Sequence, residues 1–329
     1  MRLLRVITDV LIHSPFPRQD GQGNSATADR LEKILKEAGF SVEVEAEWYS
    51  GCEARCLIAL NARRSAGAVA EFRDACPDAK VVVVLTGTDI NHPEVGDEGS
   101  DTRRTMAGAD ALVVLHEGSQ AAVPEALREK CHVIYPSVAL PDGLIHQAGE
   151  VGEFEVIMAG NVRAEKNLPV VLEACDQLSA VEDSEVVVRV YGDAEGDMAY
   201  SLMAATAGPL PFQWKGKTDH ENLMKVMAGA SLLLNASTQE GGANAVCEAI
   251  SLGLPVVASE IPGNVGMLGE GYAGYFQSGD VRALADVLVR SSTDDEFYSQ
   301  LKKQVVERAS LFSYAEESSR WVELLGLLR

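Results

Sequence analysis

Basic residues are scarce in this chain: 28 Lys and Arg stand against 49 Asp and Glu, for a formal net charge of −21. A field of that sign repels phosphate backbones and anionic lipid surfaces, so neither nucleic acid nor a membrane is an expected partner. Long apolar runs are missing as well. No stretch reaches the roughly 20 apolar residues of a membrane span. The segment from Met1 to Ile12 is interrupted by Asp9 and has no small-residue cleavage pattern, so it reads as a first strand rather than an export signal. A cytoplasmic protein is the expectation. Cys52, Cys56, Cys76, Cys131, Cys175 and Cys247 lack paired metal-ligand spacing, which favours free thiols. Asp-x-Asp occurs nowhere, so a metal-clamped diphosphate is disfavoured and no metal or separate cofactor is expected. Internal repeats and low-complexity segments are absent too.

What the chain does have is a regular rhythm. At 329 residues it is too long for one ordinary core, and two domains are expected. Short apolar runs alternate with longer periodic segments, the pattern of α/β proteins with parallel sheets covered by helices. Strands are expected at residues 3–8, 41–44, 57–60, 80–85, 111–115 and 132–135, then at 156–159, 185–191, 212–214, 231–235, 255–258 and 274–276. The first helix has Asn24 or Ser25 as its cap and Gly39 as its stop. Further helices are expected at 167–179, 220–227, 244–252 and 281–290. A Pro- and Gly-rich break at 141–152 divides the chain into domains 1–146 and 147–310. A last helix, 311–329, places Trp321, Leu324 and Leu325 on one face and is expected to cross back to the first domain.

Open α/β sheets bind ligands at the carboxyl ends of their strands, so motifs there carry weight. The loop at 15–25 contains Gly21, Gly23 and Asn24 and leads into a helix, where bare backbone favours a phosphate. After the first strand of the second half comes Gly160-Asn161-Val162-Arg163-Ala164-Glu165-Lys166, whose two cations suit a diphosphate. Further on stands Glu240-Gly241-Gly242-Ala243-Asn244-Ala245-Val246-Cys247-Glu248, preceded by Ser237. Two carboxylates eight positions apart flank a glycine pair that opens a helix, a place for a sugar hydroxyl at one end and a ribose at the other. Ser259, Gly263 and Asn264 close the same rim.

In the first half, Asn61-Ala62-Arg63-Arg64-Ser65 and Thr86-Gly87-Thr88-Asp89 follow adjacent strands. Guanidiniums, hydroxyls and a glycine backbone suit a small oxyanion, while the plainer explanation is that Ser65 or Asp89 closes a helix or turn. His13 and His116 also stand at strand ends as candidate general bases, although a lone His in such a place is more often structural.

Taken in order, G-x-x-R-x-E-K, N-A-S-x-x-E-G, E-x7-E, G-L-P-V-V-A-S, I-P-G-N and G-Y-F-x-x-G-D resemble family 4 glycosyltransferases of the GT-B fold, two Rossmann-like domains facing across a cleft. The resemblance implies that Arg163 and Lys166 hold the diphosphate of a UDP-sugar, that Glu240 meets the transferred sugar and that Glu248 binds the ribose. It implies nucleotide contacts from Gly21, Gly23, Asn24, Gly160, Asn161, Ser237, Gly241, Gly242, Ala243 and Asn244. Many such enzymes carry Arg directly after the glycine, where this chain has Asn161.

With Met106-Ala107-Gly108-Ala109-Asp110-Ala111-Leu112-Val113-Val114-Leu115 and Leu127-Arg128-Glu129-Lys130, the first-half motifs are similar to the selenosugar synthases of selenoneine biosynthesis. Those enzymes join selenophosphate to UDP-N-acetylglucosamine or UDP-glucose, beside a selenophosphate synthetase and a selenoneine synthase. By that likeness Arg63, Arg64, Thr86, Gly87, Thr88 and Asp89 form the acceptor site, with Asn61 where close relatives have His. An O-glycosyltransferase, a UDP-sugar 2-epimerase and a non-catalytic sugar-nucleotide sensor are the other readings.

Overall fold

A computed structural model of the chain describes residues 8–15, 23–46, 54–87, 89–147, 152–182 and 184–328. Gly21 and Thr88 lie outside the described residues, as do Cys52 and residues 3–7 of the expected first strand. The described strands form two six-stranded sheets whose pairings are all parallel.

The first sheet contains β1 (Thr8–His13), β2 (Val42–Glu45), β3 (Ala54–Leu60), β4 (Lys80–Leu85), β5 (Ala111–Val114) and β6 (Cys131–Val133), in the order β2-β1-β3-β4-β5-β6. Helices α1 (Gly23–Glu37), α2 (Ala66–Ala75), α3 (Asp101–Gly108) and α4 (Glu117–Ala122) connect these strands. The Lys-Val-Val-Val-Val-Leu run of β4 shows no alternation because both of its faces are covered. Leu11, Leu57, Phe72, Val81 and Val83 fill one layer, and Val10, Ile12, Leu31, Ile58, Val82 and Val84 fill the other.

The second sheet contains β7 (Phe154–Ala159), β8 (Val186–Tyr191), β9 (Phe212–Gly216), β10 (Leu232–Asn235), β11 (Val256–Ser259) and β12 (Tyr275–Phe276), in the order β12-β11-β10-β7-β8-β9. Helices α5 (Leu168–Ser179), α6 (Gly196–Ala207), α7 (His220–Gly229), α8 (Asn244–Leu252), α9 (Pro262–Leu268), α10 (Val281–Thr293) and α11 (Asp295–Arg308) belong with it. The last helix, α12 (Tyr314–Leu327), is part of the first unit, where Trp321, Leu324 and Leu325 join the layer of Val10 and Ile12. Among the described residues no helix is long and apolar enough to cross a membrane.

Three local expectations are corrected. The first strand continues to His13 rather than ending at residue 8. Asp9 does not interrupt it: its Oδ2 accepts from the amide and hydroxyl of Ser41 at 2.9 and 2.7 Å, just before β2. Neither Asn24 nor Ser25 caps the first helix, because α1 already starts at Gly23 and contains both. Gly39, by contrast, has φ +91° and donates its amide to the Lys36 carbonyl, which ends α1 as its left-handed geometry allows.

The compact units are residues up to Ser137 with those from Tyr314 on, and Val138–Ser313. The division therefore precedes the Pro- and Gly-rich break. Residues 138–147 are tied to the second unit by amides: Val138 donates to the Phe312 carbonyl, His146 to Leu252 and Gln147 to Ala228, at 3.1, 3.0 and 2.9 Å.

In each sheet the strand order reverses beside one strand, and such a switch point is where open α/β sheets form a crevice. In the first sheet β1 lies between β2 and β3; in the second β7 lies between β10 and β8. The loops leaving β7 and β10 therefore stand at the switch point of the second sheet.

Candidate active site

At the end of β7 the chain turns at Gly160, which has φ +110°. The loop after β8 packs directly on this turn, since a Cβ on Gly192 would lie 2.0 Å from the Gly160 carbonyl oxygen. Val162 donates its amide to the Asp193 carbonyl at 2.8 Å, and Asn161 Oδ1 accepts from the Asp193 amide at 3.3 Å. Asn161 thus joins the two loops. Arg163 is exposed. A short 3-10 turn, Ala164–Lys166, follows, and Asn167, left-handed at φ 56°, starts α5.

That turn brings Lys166 against the loop after β10. Lys166 Nζ donates to Glu240 Oε1 at 2.6 Å, Ser237 Oγ donates to the same oxygen at 2.7 Å, and Asn235 Nδ2 approaches it at 3.4 Å. The Thr238 amide donates to the Glu165 carbonyl at 2.8 Å and locks the two loops together. Asn264 supports the group from behind, donating to the carbonyl and hydroxyl of Ser259 at 2.9 and 3.1 Å, while Ser259 Oγ donates to the Ser237 carbonyl. A carboxylate held by an ammonium and a hydroxyl at a sheet switch point is a built polar site. Gly241 and Gly242 then lead to Ala243, the N-cap of α8, whose side chain makes no capping bond, and α8 begins at Asn244.

Gly263 makes room for this arrangement. A Cβ there would stand 2.4 Å from the Glu240 carbonyl oxygen and 2.8 Å from the Glu240 Cβ. The obstacle is mainly backbone, so Gly263→Ala must shift the Glu240 turn. It is expected to cost about 1–3 kcal/mol and to weaken nucleotide-sugar binding, read by thermal unfolding and calorimetric titration. An unchanged Gly263→Ala protein would mean that the turn has slack.

Glu248 lies one turn into α8, where its Oε1 is 2.8 Å from Nε2 of His220. The Glu248 contact, the largest influence, raises the His220 pKa above its ordinary value although burial opposes it. His220 had no assigned role in the sequence reading; Asn235 and Gly263 stood within the N-A-S-x-x-E-G and I-P-G-N motifs, but their contacts to Glu240 were not legible there.

In the first unit, Asn61 is buried and left-handed at φ 70°. Its Nδ2 donates to Thr86 Oγ1 at 3.1 Å and its Oδ1 accepts the Arg64 amide at 3.1 Å. Asp89 is fully buried, and its carboxylate accepts the amides of Ala62, Gly87 and Ile90 at 2.8, 2.9 and 3.0 Å. Burial pushes the Asp89 carboxyl up, and those amides pull it partly back. Asp89 therefore braces the loops after β3 and β4 rather than facing solvent. Gly87 adopts φ +114° beside it. Ser65 makes no side-chain cap on α2; its hydroxyl donates to the Leu60 carbonyl at 2.7 Å. Arg63 and Arg64 are exposed, and Arg63 Nε lies 3.4 Å from Glu94 Oε2.

Of the histidines proposed as bases, His13 is buried, and that burial lowers its pKa. His116 caps α4 through the Ser119 amide, and its Nε2 contacts the Ser119 hydroxyl at 2.8 Å. Among the described residues no cluster of three or more His, Cys, Asp or Glu side chains is placed to hold a metal ion.

The family model for group 1 glycosyl transferases matches residues 145–308, which hold the Lys166, Glu240 and Glu248 loops. Residues 145–308 are a group 1 glycosyltransferase domain. A curated relative is the GtfA subunit of the UDP-N-acetylglucosamine–peptide N-acetylglucosaminyltransferase of Streptococcus gordonii, 25% identical over 186 residues. That match takes in 54% of this chain, and the chain spans only 36% of the relative's length.

Among solved structures, a sucrose-phosphate synthase from Thermosynechococcus elongatus has a TM-score of 0.80 at 15% identity, covering 98% of this chain and 99% of that one. Anabaena HepE, solved in complex with UDP and glucose, has a TM-score of 0.75 at 17% identity, covering 97% and 99%. These likenesses establish the GT-B fold around the glycosyltransferase domain.

Proposed function

We propose that the chain transfers a sugar, N-acetylglucosamine or glucose, from a UDP-sugar to selenophosphate. The selenium lone pair forms a bond to the anomeric carbon as the bond from that carbon to the UDP oxygen breaks, giving a sugar joined through selenium to phosphate, and UDP. The observation that carries the sugar-transfer half is the Lys166–Glu240–Ser237 contact at the switch point of a glycosyltransferase domain. Lys166 and the exposed Arg163 supply positive charge for the departing diphosphate, the N-terminus of α8 adds amides, and Glu240 meets the sugar. The relatives named in UDP, glucose and N-acetylglucosamine complexes or activities support the choice of nucleotide and sugar.

The anionic acceptor is supported by two neighbouring exposed guanidiniums, Arg63 and Arg64, at the carboxyl end of β3. An already anionic nucleophile needs no strong general base, in keeping with the use of His116 as the cap of α4. The Arg63–Glu94 ion pair favours a second reading, transfer to a sugar or small-molecule hydroxyl, because part of the positive charge is already matched.

Anaerobic incubation with UDP-N-acetylglucosamine or UDP-glucose and selenophosphate is expected to release UDP and yield a selenium-bearing sugar by mass spectrometry. Arg63→Ala is expected to reduce turnover of selenophosphate and not of a neutral acceptor. UDP release only with hydroxyl acceptors would replace selenophosphate with the second reading.

A further inference from the structure

The ring of His220 and the carboxylate of Glu248 meet although they come from different helices. His220 is the first residue of α7, and Glu248 sits on the second turn of α8. Glu248 is 13% exposed and His220 is 63% exposed, so a nearly sheltered carboxylate is held by a ring that reaches it from solvent. A helix start is a poor place for a cation. Asp219, the α7 cap, and Glu248 from α8 are the charged groups that act on the ring and offset this.

We propose that His220 is a positioning residue for the nucleotide ribose: it holds Oε1 of Glu248 so that Oε2 is presented to the ribose hydroxyls. The proposal rests on the reading of Glu248 as the ribose carboxylate. A carboxylate has two oxygens with about four lone-pair sites, so one oxygen can take the imidazole while the other takes hydroxyls. Fixing the carboxylate before the nucleotide arrives lowers the ordering cost of binding, and a charge-assisted bond fixes it best. The ion pair exists while the imidazole is protonated. The grip on ribose is therefore strongest below the raised His220 pKa and declines as pH rises through it. UDP-glucose itself has no phosphate proton to gain near neutral pH, so such a dependence belongs to the protein.

The test measures dissociation constants for UDP-glucose and for its 2′,3′-dideoxyribose analogue between about pH 5.5 and 8, in wild type, His220→Ala and His220→Gln. His220→Ala is expected to weaken UDP-glucose about tenfold, the loss of one hydrogen bond to a charged group. It should leave the dideoxy analogue unchanged and remove the pH dependence. His220→Gln, whose amide still donates, should restore most of the affinity without the pH dependence. Wild-type affinity in His220→Ala, or equal weakening of both ligands, overturns the proposal. Wild type that binds no UDP-glucose at all takes the donor reading down with it.

Discussion

Lys166→Ala is expected to lower the rate of sugar transfer by about a hundred- to a thousandfold, the range seen when a preorganised group that stabilises developing charge is removed. Lys166 stands 2.6 Å from Glu240, in a chain whose formal net charge is −21. Without the ammonium, the Glu240 carboxylate is left facing the two negative charges of a diphosphate in a half-buried place, where repulsion is poorly screened. The loss should fall mainly on kcat, because charge on the departing UDP oxygen grows only as the glycosidic bond breaks. Lys166→Arg, which keeps the charge but not the compact ammonium, should recover part of the rate. Steady-state kinetics with the donor varied and a melting curve for each variant make the check. A well-folded Lys166→Ala protein within about fivefold of wild type would exclude Lys166 from leaving-group stabilisation, which would then fall to Arg163 and the α8 amides. Glu240→Gln provides the complement. If Glu240 touches the sugar it should also slow transfer, and if it only neutralises Lys166 the double variant Lys166→Ala with Glu240→Gln should be no slower than Lys166→Ala alone.

The sequence made the sheet order's ingredients legible because they are local. Continuous valine and leucine runs mark strands covered on both faces, and helices such as Asn244–Leu252 begin where the glycine pair ends. The E-x7-E spacing was readable for the same reason. What could not be read was which loop turns back on which. Nothing in the spacing of Asp89 announces that its carboxylate takes three backbone amides, one of them from the loop after the preceding strand. Arg63 looked available, yet Glu94 from a later turn lies beside it. The His220–Glu248 contact depends on how α7 and α8 pack, a property of the whole second sheet. The end of β1 was misread because Asp9 was judged by its charge, whereas the strand runs on through it to His13 and the Asp9 side chain serves Ser41.

Glu317→Ala is expected to destabilise the first unit by about 3–5 kcal/mol, the cost of removing one partner from a buried charge pair. Glu317 is 2% exposed, and Arg30 on α1 donates its Nε to both carboxylate oxygens at 3.0 and 3.2 Å. Oε2 also accepts the amide and hydroxyl of Ser137, at 2.7 and 2.5 Å. One carboxylate therefore ties α12, α1 and the last residue before the second unit into a single joint. Alanine would leave the Arg30 guanidinium, 19% exposed, and a buried Ser137 amide without that partner. Glu317→Gln still accepts from Ser137 and loses the charge, so it should fall between alanine and wild type. Because two units need not unfold together, the measurement is a calorimetric scan, in which only one transition should move, by roughly 10 °C for a unit of this size. Buried Trp321 on the same helix reports that transition by fluorescence. A scan in which Glu317→Ala moves neither transition, or moves both equally, would show that the terminal helix is held by Trp321, Leu324 and Leu325 and that the Glu317 joint adds nothing to their packing.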